Sequence, residues 1–97
     1  MAEKQCNLIK NGGGTYKTVS GSNSRAMTTA GQSVLVSIPI PSGYELFAIK
    51  EFNTNDYTSQ LQRVYEDNGN IIFYFCKLID ASITANVSAT AIFKRVP

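Results

Sequence analysis

The chain has 97 residues, of which 43% are hydrophobic and 16% are charged, and its formal net charge is +2. This length corresponds to one domain, and so small a net charge gives no strong field to attract nucleic acid or an anionic membrane. No segment approaches the roughly 18 consecutive apolar residues of a membrane helix. Residues 1–5 lack the apolar core of a signal peptide, so we expect synthesis in the cytoplasm and no membrane insertion.

The N-terminal segment is predicted to be separate from the main domain. Residues 5–10 are expected to form a short strand or an arm, and the Asn-Gly-Gly-Gly sequence at 11–14 is a flexible break. We therefore divide the chain into an N-terminal strand or arm at 1–14 and a β-domain at 15–97.

The first half of the domain is predicted to contain four strands. Residues 15–20 are rich in β-forming residues, residues 25–29 favour a short strand, and the Gly-Ser-Asn-Ser sequence at 21–24 indicates a loop between them. The clearest alternation is at 33–40, where Val, Val, Ile and Ile fall on one face. The fourth strand is predicted at 44–53.

Two turns are predicted from local sequence. Pro-Ser-Gly at 41–43 is typical of a tight turn, because proline presets the backbone and glycine tolerates positive φ. Asn68 and Gly69 form the strongest short hairpin signal, since both accept the positive φ of a type I′ turn. They are expected to join strands at 59–66 and 70–79.

Residues 71–76 (Ile-Ile-Phe-Tyr-Phe-Cys) are apolar on both faces, which favours a position in the middle of a sheet. One side would face the internal core, and we expect a loop, a second copy of the chain or another partner to cover the other. Cys76 is predicted to be a small buried core residue. Without a signal peptide, Cys6 and Cys76 are expected to be free thiols rather than a disulfide.

The last strand carries the most regular pattern in the chain. Residues 83–95 alternate between apolar or small and polar side chains, with Ile92 as the exception. Taken together, about seven short strands with frequent turns predict an all-β fold, a single antiparallel β-sandwich of jelly-roll type.

Catalytic chemistry is not indicated by the residue types. The chain has no histidine, which removes the usual general base, the usual nucleophile partner and the usual metal ligand. Its seven acidic residues suggest no facing pair of carboxylates of the kind that glycosidases use. We expect a protein that is not an enzyme, with no cofactor and no metal.

The loop that follows the fourth strand holds the candidate ligand-binding or partner-binding residues Asn53, Asn55, Asp56 and Tyr57. Its oxygen atoms could bind calcium, but Asn and Asp residues that cap their own turn are the more common arrangement. Tyrosine in such a loop suits contact with a sugar or a protein, because the ring offers apolar area and the hydroxyl offers a hydrogen bond. Among the five tyrosines of the chain, we expect Tyr57 to make such a contact.

Three segments resemble a known class of module. They are the Ile-Pro-Ile-Pro-Ser-Gly-Tyr corner at 38–44, the Asn-Gly-Asn-Ile-Ile-Phe-Tyr-Phe sequence at 68–75, and the Ala/Thr-rich closing strand at 83–94, which ends in Phe-Lys. This layout resembles the small β-sandwich modules of phage and prophage tail-associated proteins from Gram-positive bacteria. The resemblance covers residues 33–95 and implies a non-enzymatic, often trimeric module that assembles into tail tips or touches the host surface.

These observations predict a structural or host-surface-binding module that self-associates. The expected partners are further copies of the chain, as a homotrimer, and a host cell-surface glycan or another tail protein, with no nucleic acid. If the chain is phage-derived, its place is the virion. The alternative is a carbohydrate-binding module that uses loop tyrosines.

Overall fold

The computed structural model describes residues 15–97, which form an all-β structure. The predicted arm or strand at 1–14, including Cys6, lies outside these residues. Six strands follow one another in the order β1 (Tyr16–Met27), β2 (Ser33–Pro39), β3 (Tyr44–Thr54), β4 (Ser59–Asp67), β5 (Asn70–Lys77) and β6 (Ile83–Arg95). No helix in this part of the chain has the length and hydropathy to cross a membrane.

The strands form two antiparallel sheets of three. Sheet A has the order β1-β6-β3, and sheet B has the order β2-β5-β4. The inner faces of both sheets contribute to one apolar core, and β2 approaches sheet A most closely where it lies against β1. The core residues are Met27, Val34, Val36, Ile38, Ile71, Phe73, Phe75, Ala85, Val87, Ala89, Ala91 and Phe93.

The strongest local signals are confirmed. The closing strand spans Ile83–Arg95, and its alternate residues from Ala85 to Phe93 are buried. The hairpin turn has Asn68 at φ 51° and Gly69 at φ 83°, the positive values that the type I′ prediction requires. The turn is decided by the backbone preferences of two residues, and the strand is decided by the strict alternation of its side chains.

The turn predicted at 41–43 also forms. The Tyr44 amide donates to the Pro41 carbonyl at 3.0 Å, and Gly43 has φ 83°. Positive φ at the third turn residue is the feature of a type II turn, which glycine adopts without steric cost. This turn carries the chain from β2 in sheet B to β3 in sheet A.

The loop predicted at 21–24 is wrong, because β1 is continuous through it and pairs with β6 over twelve residues. Gly21 serves packing rather than a turn. A Cβ atom there would lie 3.2 Å from the Val36 side chain and 3.3 Å from that of Ile38. Glycine allows β2 to lie close against β1, and the serines and asparagine that follow sit on an exposed strand.

The expected central position of residues 71–76 is confirmed, since β5 lies between β2 and β4. Its outer side differs from the prediction, because side chains of the same sheet largely close it. The Arg63 guanidinium lies over the rings of Tyr65 and Tyr74 at 4.9 and 5.4 Å, and Ile72 is buried. Cys76 is half-buried on this outer side instead of in the core.

Candidate functional site

The connection between β3 and β4 crosses from sheet A to sheet B and contains Asn55, Asp56 and Tyr57, while the fourth candidate residue, Asn53, lies near the end of β3. The structure places them in three different environments. Asn53 is an exposed residue near the end of β3, Asn55 binds to β6, Asp56 is fully buried, and Tyr57 is exposed. They therefore do not form a single site.

Asp56 lies at the centre of a buried polar cluster. One carboxylate oxygen accepts hydrogen bonds from the Thr58 amide, at 2.8 Å, and from the Thr58 hydroxyl. The other accepts a 2.9 Å hydrogen bond from the Lys77 ammonium, and both charged side chains are fully buried. A buried charge is tolerated when it is paired and hydrogen-bonded, and both requirements are met here.

Opposing effects set the pKa of Asp56. Burial removes the carboxylate from water and would raise its pKa, but the hydrogen bonds from Thr58 and Lys77, with the positive charge of Lys77, outweigh that effect. The pKa is lowered from 3.8 to about 2. Asp56 is therefore ionised at neutral pH with both oxygens engaged inside the protein.

The backbone around Lys77 extends this cluster to another sheet crossing. The Lys77 amide donates to the Gln32 carbonyl at 2.8 Å, and the Gly31 amide donates to the Lys77 carbonyl at 2.9 Å. The Leu78 amide donates to the Thr58 carbonyl at 2.8 Å. The connections β1–β2, β3–β4 and β5–β6 therefore meet at one end of the molecule.

Asn55 continues the pairing between β3 and β6 past the end of the strand. Its backbone amide donates to the Asn86 carbonyl at 3.2 Å, and its side-chain oxygen accepts from the Asn86 backbone amide at 2.6 Å. Its side-chain nitrogen donates to the Thr84 carbonyl at 3.3 Å. The side-chain oxygen and nitrogen of Asn55 are therefore both hydrogen-bonded to the backbone of β6.

The capping interpretation of this loop accounts for its contacts better than the calcium alternative. Asp56 binds the amide two residues ahead, which is the geometry of an Asx turn. Within residues 15–97, no three His, Cys, Asp or Glu side chains lie close enough together to hold a metal ion.

A polar groove lies next to Asn53, on the outer face of sheet A. It has a volume of about 510 Å³ and is open to solvent. We call it the Ser/Asn groove, after the seven serine and asparagine residues that line it with Val87; they are Ser22, Asn23, Ser24, Asn53, Asn55, Asn86 and Ser88. Asn53 and Asn55 belong to it, whereas Asp56 and Tyr57 do not line it.

Tyr57 projects into solvent and is 88% exposed. No other large apolar or aromatic side chain in residues 15–97 is as exposed. Its neighbours Asp56 and Thr58 are both buried and hydrogen-bonded to each other. A rigid turn therefore presents a freely accessible ring.

Sequence reasoning missed the serines of the groove and the partner of Asp56. Alternation places Ser22 and Ser24 on one face of β1 and Asn86 and Ser88 on one face of β6, but only the pairing of these two strands brings the four side chains together. Lys77 carried no local signal, because it lies 21 residues from Asp56.

A second surface of interest is apolar and lies on the inner side of β3. Two register shifts relative to β6, between Leu46 and Ala48 and between Ile49 and Glu51, give β3 a three-residue spacing of inner positions. The inner residues Leu46, Ile49 and Phe52 are 38, 39 and 51% exposed. They lie opposite the core residues Phe93, Ala91 and Ala89 of β6.

We call Leu46, Ile49 and Phe52 the β3 apolar surface. Within the described chain β3 pairs only with β6, at the edge of sheet A away from β1 and β2. Among the described residues, the core therefore continues outward along β3 into side chains that are more than a third exposed. Comparisons of the chain with protein-family models, with curated proteins and with solved structures found no match.

The lowered pKa of Asp56 predicts an acid-sensitive contribution to stability. A carboxyl whose pKa is about 2 in the folded state and 3.8 in the unfolded state stabilises the fold above about pH 4. That contribution of about 2 kcal/mol is lost as the pH falls towards 2. In the double variant Asp56→Asn with Lys77→Met, the loss of unfolding free energy between about pH 5 and pH 2 should be smaller by this amount, as measured by urea denaturation.

The matched control is Asp67→Asn, which removes an exposed carboxyl next to the hairpin turn. It should keep the pH dependence of the wild-type protein. An equal acid loss in the double variant and the wild type would contradict the assignment of this contribution to Asp56.

Proposed function

We propose that the protein is a non-enzymatic structural or host-surface-binding module of the phage or prophage tail type, which works as a homotrimer in the virion. The observation that carries this proposal is the β3 apolar surface. Monomeric proteins seldom leave core-facing side chains open along a whole strand, and such patches commonly mark contact with a partner. A second and a third copy of the chain are the partners proposed.

A jelly-roll-like sandwich is the finer fold that we propose. Strand β1 pairs with β6, and β2 pairs with β5, so the pairs are nested as in one long antiparallel ribbon. Rolling such a ribbon produces a jelly roll, in which successive strands alternate between two sheets. All connections other than the β4–β5 hairpin change sheets in this way.

The chemistry of the charged groups supports a role without catalysis. The chain has no histidine, and Asp56, the carboxyl with a clearly lowered pKa among the described residues, is buried and bonded to Thr58 and Lys77. A general acid or base must reach a substrate within hydrogen-bond distance. Asp56 is instead enclosed by its own structural partners.

Self-association through β3 is expected to involve its side-chain face rather than its backbone edge. The two bulges that set the spacing of Leu46 and Ile49 also interrupt the regular edge that strand addition would need. The aromatic ring of Phe52 supplies the largest exposed area on this face. Packing of the three faces around a common axis would bury these side chains together.

The oligomer prediction can be measured by size-exclusion chromatography with light scattering. The wild-type chain should have the mass of three chains, and the double variant Ile49→Ser with Phe52→Ser should be monomeric, because it places polar groups at the proposed contact. Leu35→Ser is the control, since Leu35 is 38% exposed on the outer face of sheet B and should not affect the mass. A wild-type monomer at high protein concentration would exclude the trimer.

A carbohydrate-binding module is the second candidate function, and the exposure of Tyr57 supports it. A fully accessible ring on a rigid turn can stack on the apolar face of a sugar, and its hydroxyl can bind a sugar hydroxyl. Asn53 at the end of β3 and Asn55 in the connection that follows line a neutral polar groove.

Tyr57→Ala should abolish binding on a glycan array if this candidate is correct, because the variant removes the stacking area. Tyr57→Phe, which retains the ring, should preserve most of the signal. Tyr16→Ala changes an exposed tyrosine at the start of β1 and serves as the control. Unchanged binding by Tyr57→Ala, or an array on which the wild type gives no signal, would rule the candidate out.

A further inference from the structure

We propose that the Ser/Asn groove is a binding site for a neutral saccharide. This inference rests on the carbohydrate-binding candidate and adds to it a second contact, on the outer face of sheet A, whose chemistry selects the class of sugar. The reasons are the position of the groove in the sheet, its free hydrogen-bonding groups and its lack of charge.

Strand register explains why a groove forms at this place. Ser22 of β1 and Asn53 of β3 both lie opposite Ser88 of β6, so three short side chains form a row across the sheet. Ser24 and Asn86 form the next row. Because no long side chain rises from these positions, the sheet surface remains recessed over an area that a small ligand can occupy.

Two of the lining residues have side chains that are already hydrogen-bonded within the protein, and one of them, Asn23, faces sheet B rather than the outer side. The Asn23 side chain donates to the Leu35 carbonyl at 2.9 Å and accepts from the Ser24 amide at 2.8 Å, and Asn55 is fixed to β6 as described. Among the described residues, the remaining polar side chains of the groove bond to no other protein group, which leaves their donors and acceptors available; they are Ser22, Ser24, Asn53, Asn86 and Ser88.

The groove should select ligands without charge. No lysine, arginine, aspartate or glutamate lines it, so an anionic sugar, phosphate or sulfate would lose hydration and gain no ion pair. On the side towards the middle of the sheet, the neighbouring row contains Glu51 opposite Thr90. That carboxylate would repel an anion further.

A saccharide fits this surface better than a peptide does. Amide and hydroxyl side chains offer donors and acceptors together, which matches neighbouring sugar hydroxyls. Peptides are commonly bound through a free sheet edge or through apolar pockets. The floor of the groove runs across three paired strands, and Val87 is the one apolar residue in its lining.

The test is a titration of the full-length ¹⁵N-labelled protein followed by NMR. The probes are maltotriose, mannotriose and triacetylchitotriose as neutral sugars, a heparin-derived tetrasaccharide as the anionic sugar, and the peptide Gly-Ser-Gly-Ser-Gly-Ser. We expect at least one neutral trisaccharide, in the millimolar range, to shift the side-chain amide signals of Asn53 and Asn86. The anionic sugar and the peptide should leave these signals unchanged.

Two variants assign the binding to the groove. Ser88→Tyr fills the centre of the floor, and Asn86→Ala removes one amide without adding bulk; each should weaken binding by about tenfold or more. Ser37→Tyr makes the same serine-to-tyrosine change on an exposed position of β2 in the other sheet and should bind as the wild type does. Circular dichroism of each variant confirms that the fold is retained.

The outcomes separate this proposal from the candidate function. In one outcome, sugar binding is abolished by Tyr57→Ala and left unchanged by Ser88→Tyr and Asn86→Ala. That result would exclude the groove as the binding site and retain the carbohydrate-binding candidate. Stronger binding of the anionic sugar or of the peptide would overturn the ligand class. No response to any neutral trisaccharide would overturn the proposal itself, whereas the glycan array decides the candidate separately.

Discussion

The buried pair of Asp56 and Lys77 is the interaction that joins the segments where the chain crosses between the two sheets. It joins the connection between β3 and β4 to the end of β5, and the backbone of Lys77 binds the connection between β1 and β2. Asp80, in the connection between β5 and β6, accepts a hydrogen bond from the Ala30 amide at 2.9 Å. Removing one partner of such a pair costs about 3–5 kcal/mol, because the other charge remains buried without compensation. Breaking the pair from one side is therefore costly, even though an apolar replacement of both partners need not lower stability.

Strand β3 combines the features that give the molecule its two candidate surfaces. Its bulges place Leu46, Ile49 and Phe52 on the inner side at every third position, while Asn53 faces the groove on the outer side. An edge strand with an interrupted backbone is a poor template for strand addition, so its side chains rather than its hydrogen-bonding groups are available to partners. The apolar side suits a further copy of the chain, and the polar side suits a small neutral ligand. The two proposals therefore use opposite faces of one strand and are compatible with each other.

Those parts of the fold that depend on neighbouring residues could be predicted from the sequence. The Asn68-Gly69 turn and the alternation of β6 each act over a few residues, and both were placed correctly. The loop predicted at 21–24 is wrong because a glycine followed by serines occurs in loops and also in strands that pack closely against another strand. Local sequence does not distinguish these two cases. The Asp56–Lys77 pair and the Ser/Asn groove depend on register between distant segments, which no local pattern encodes. On the outer face of sheet B, Arg63 lies over Tyr65 of β4 and Tyr74 of β5, a contact between strands that the sequence alone does not reveal.

The most direct test of this account is a double-mutant cycle on the buried pair, with unfolding free energies measured in urea near neutral pH for Asp56→Asn, Lys77→Met and the double variant. If the pair holds the sheet crossings together, Lys77→Met alone should lose about 3–5 kcal/mol, because it leaves the Asp56 charge buried and unpaired. The double variant should recover a large part of that loss, which gives a coupling energy of about 2 kcal/mol or more. Additive losses, with no recovery in the double variant, would contradict the central place given to this interaction.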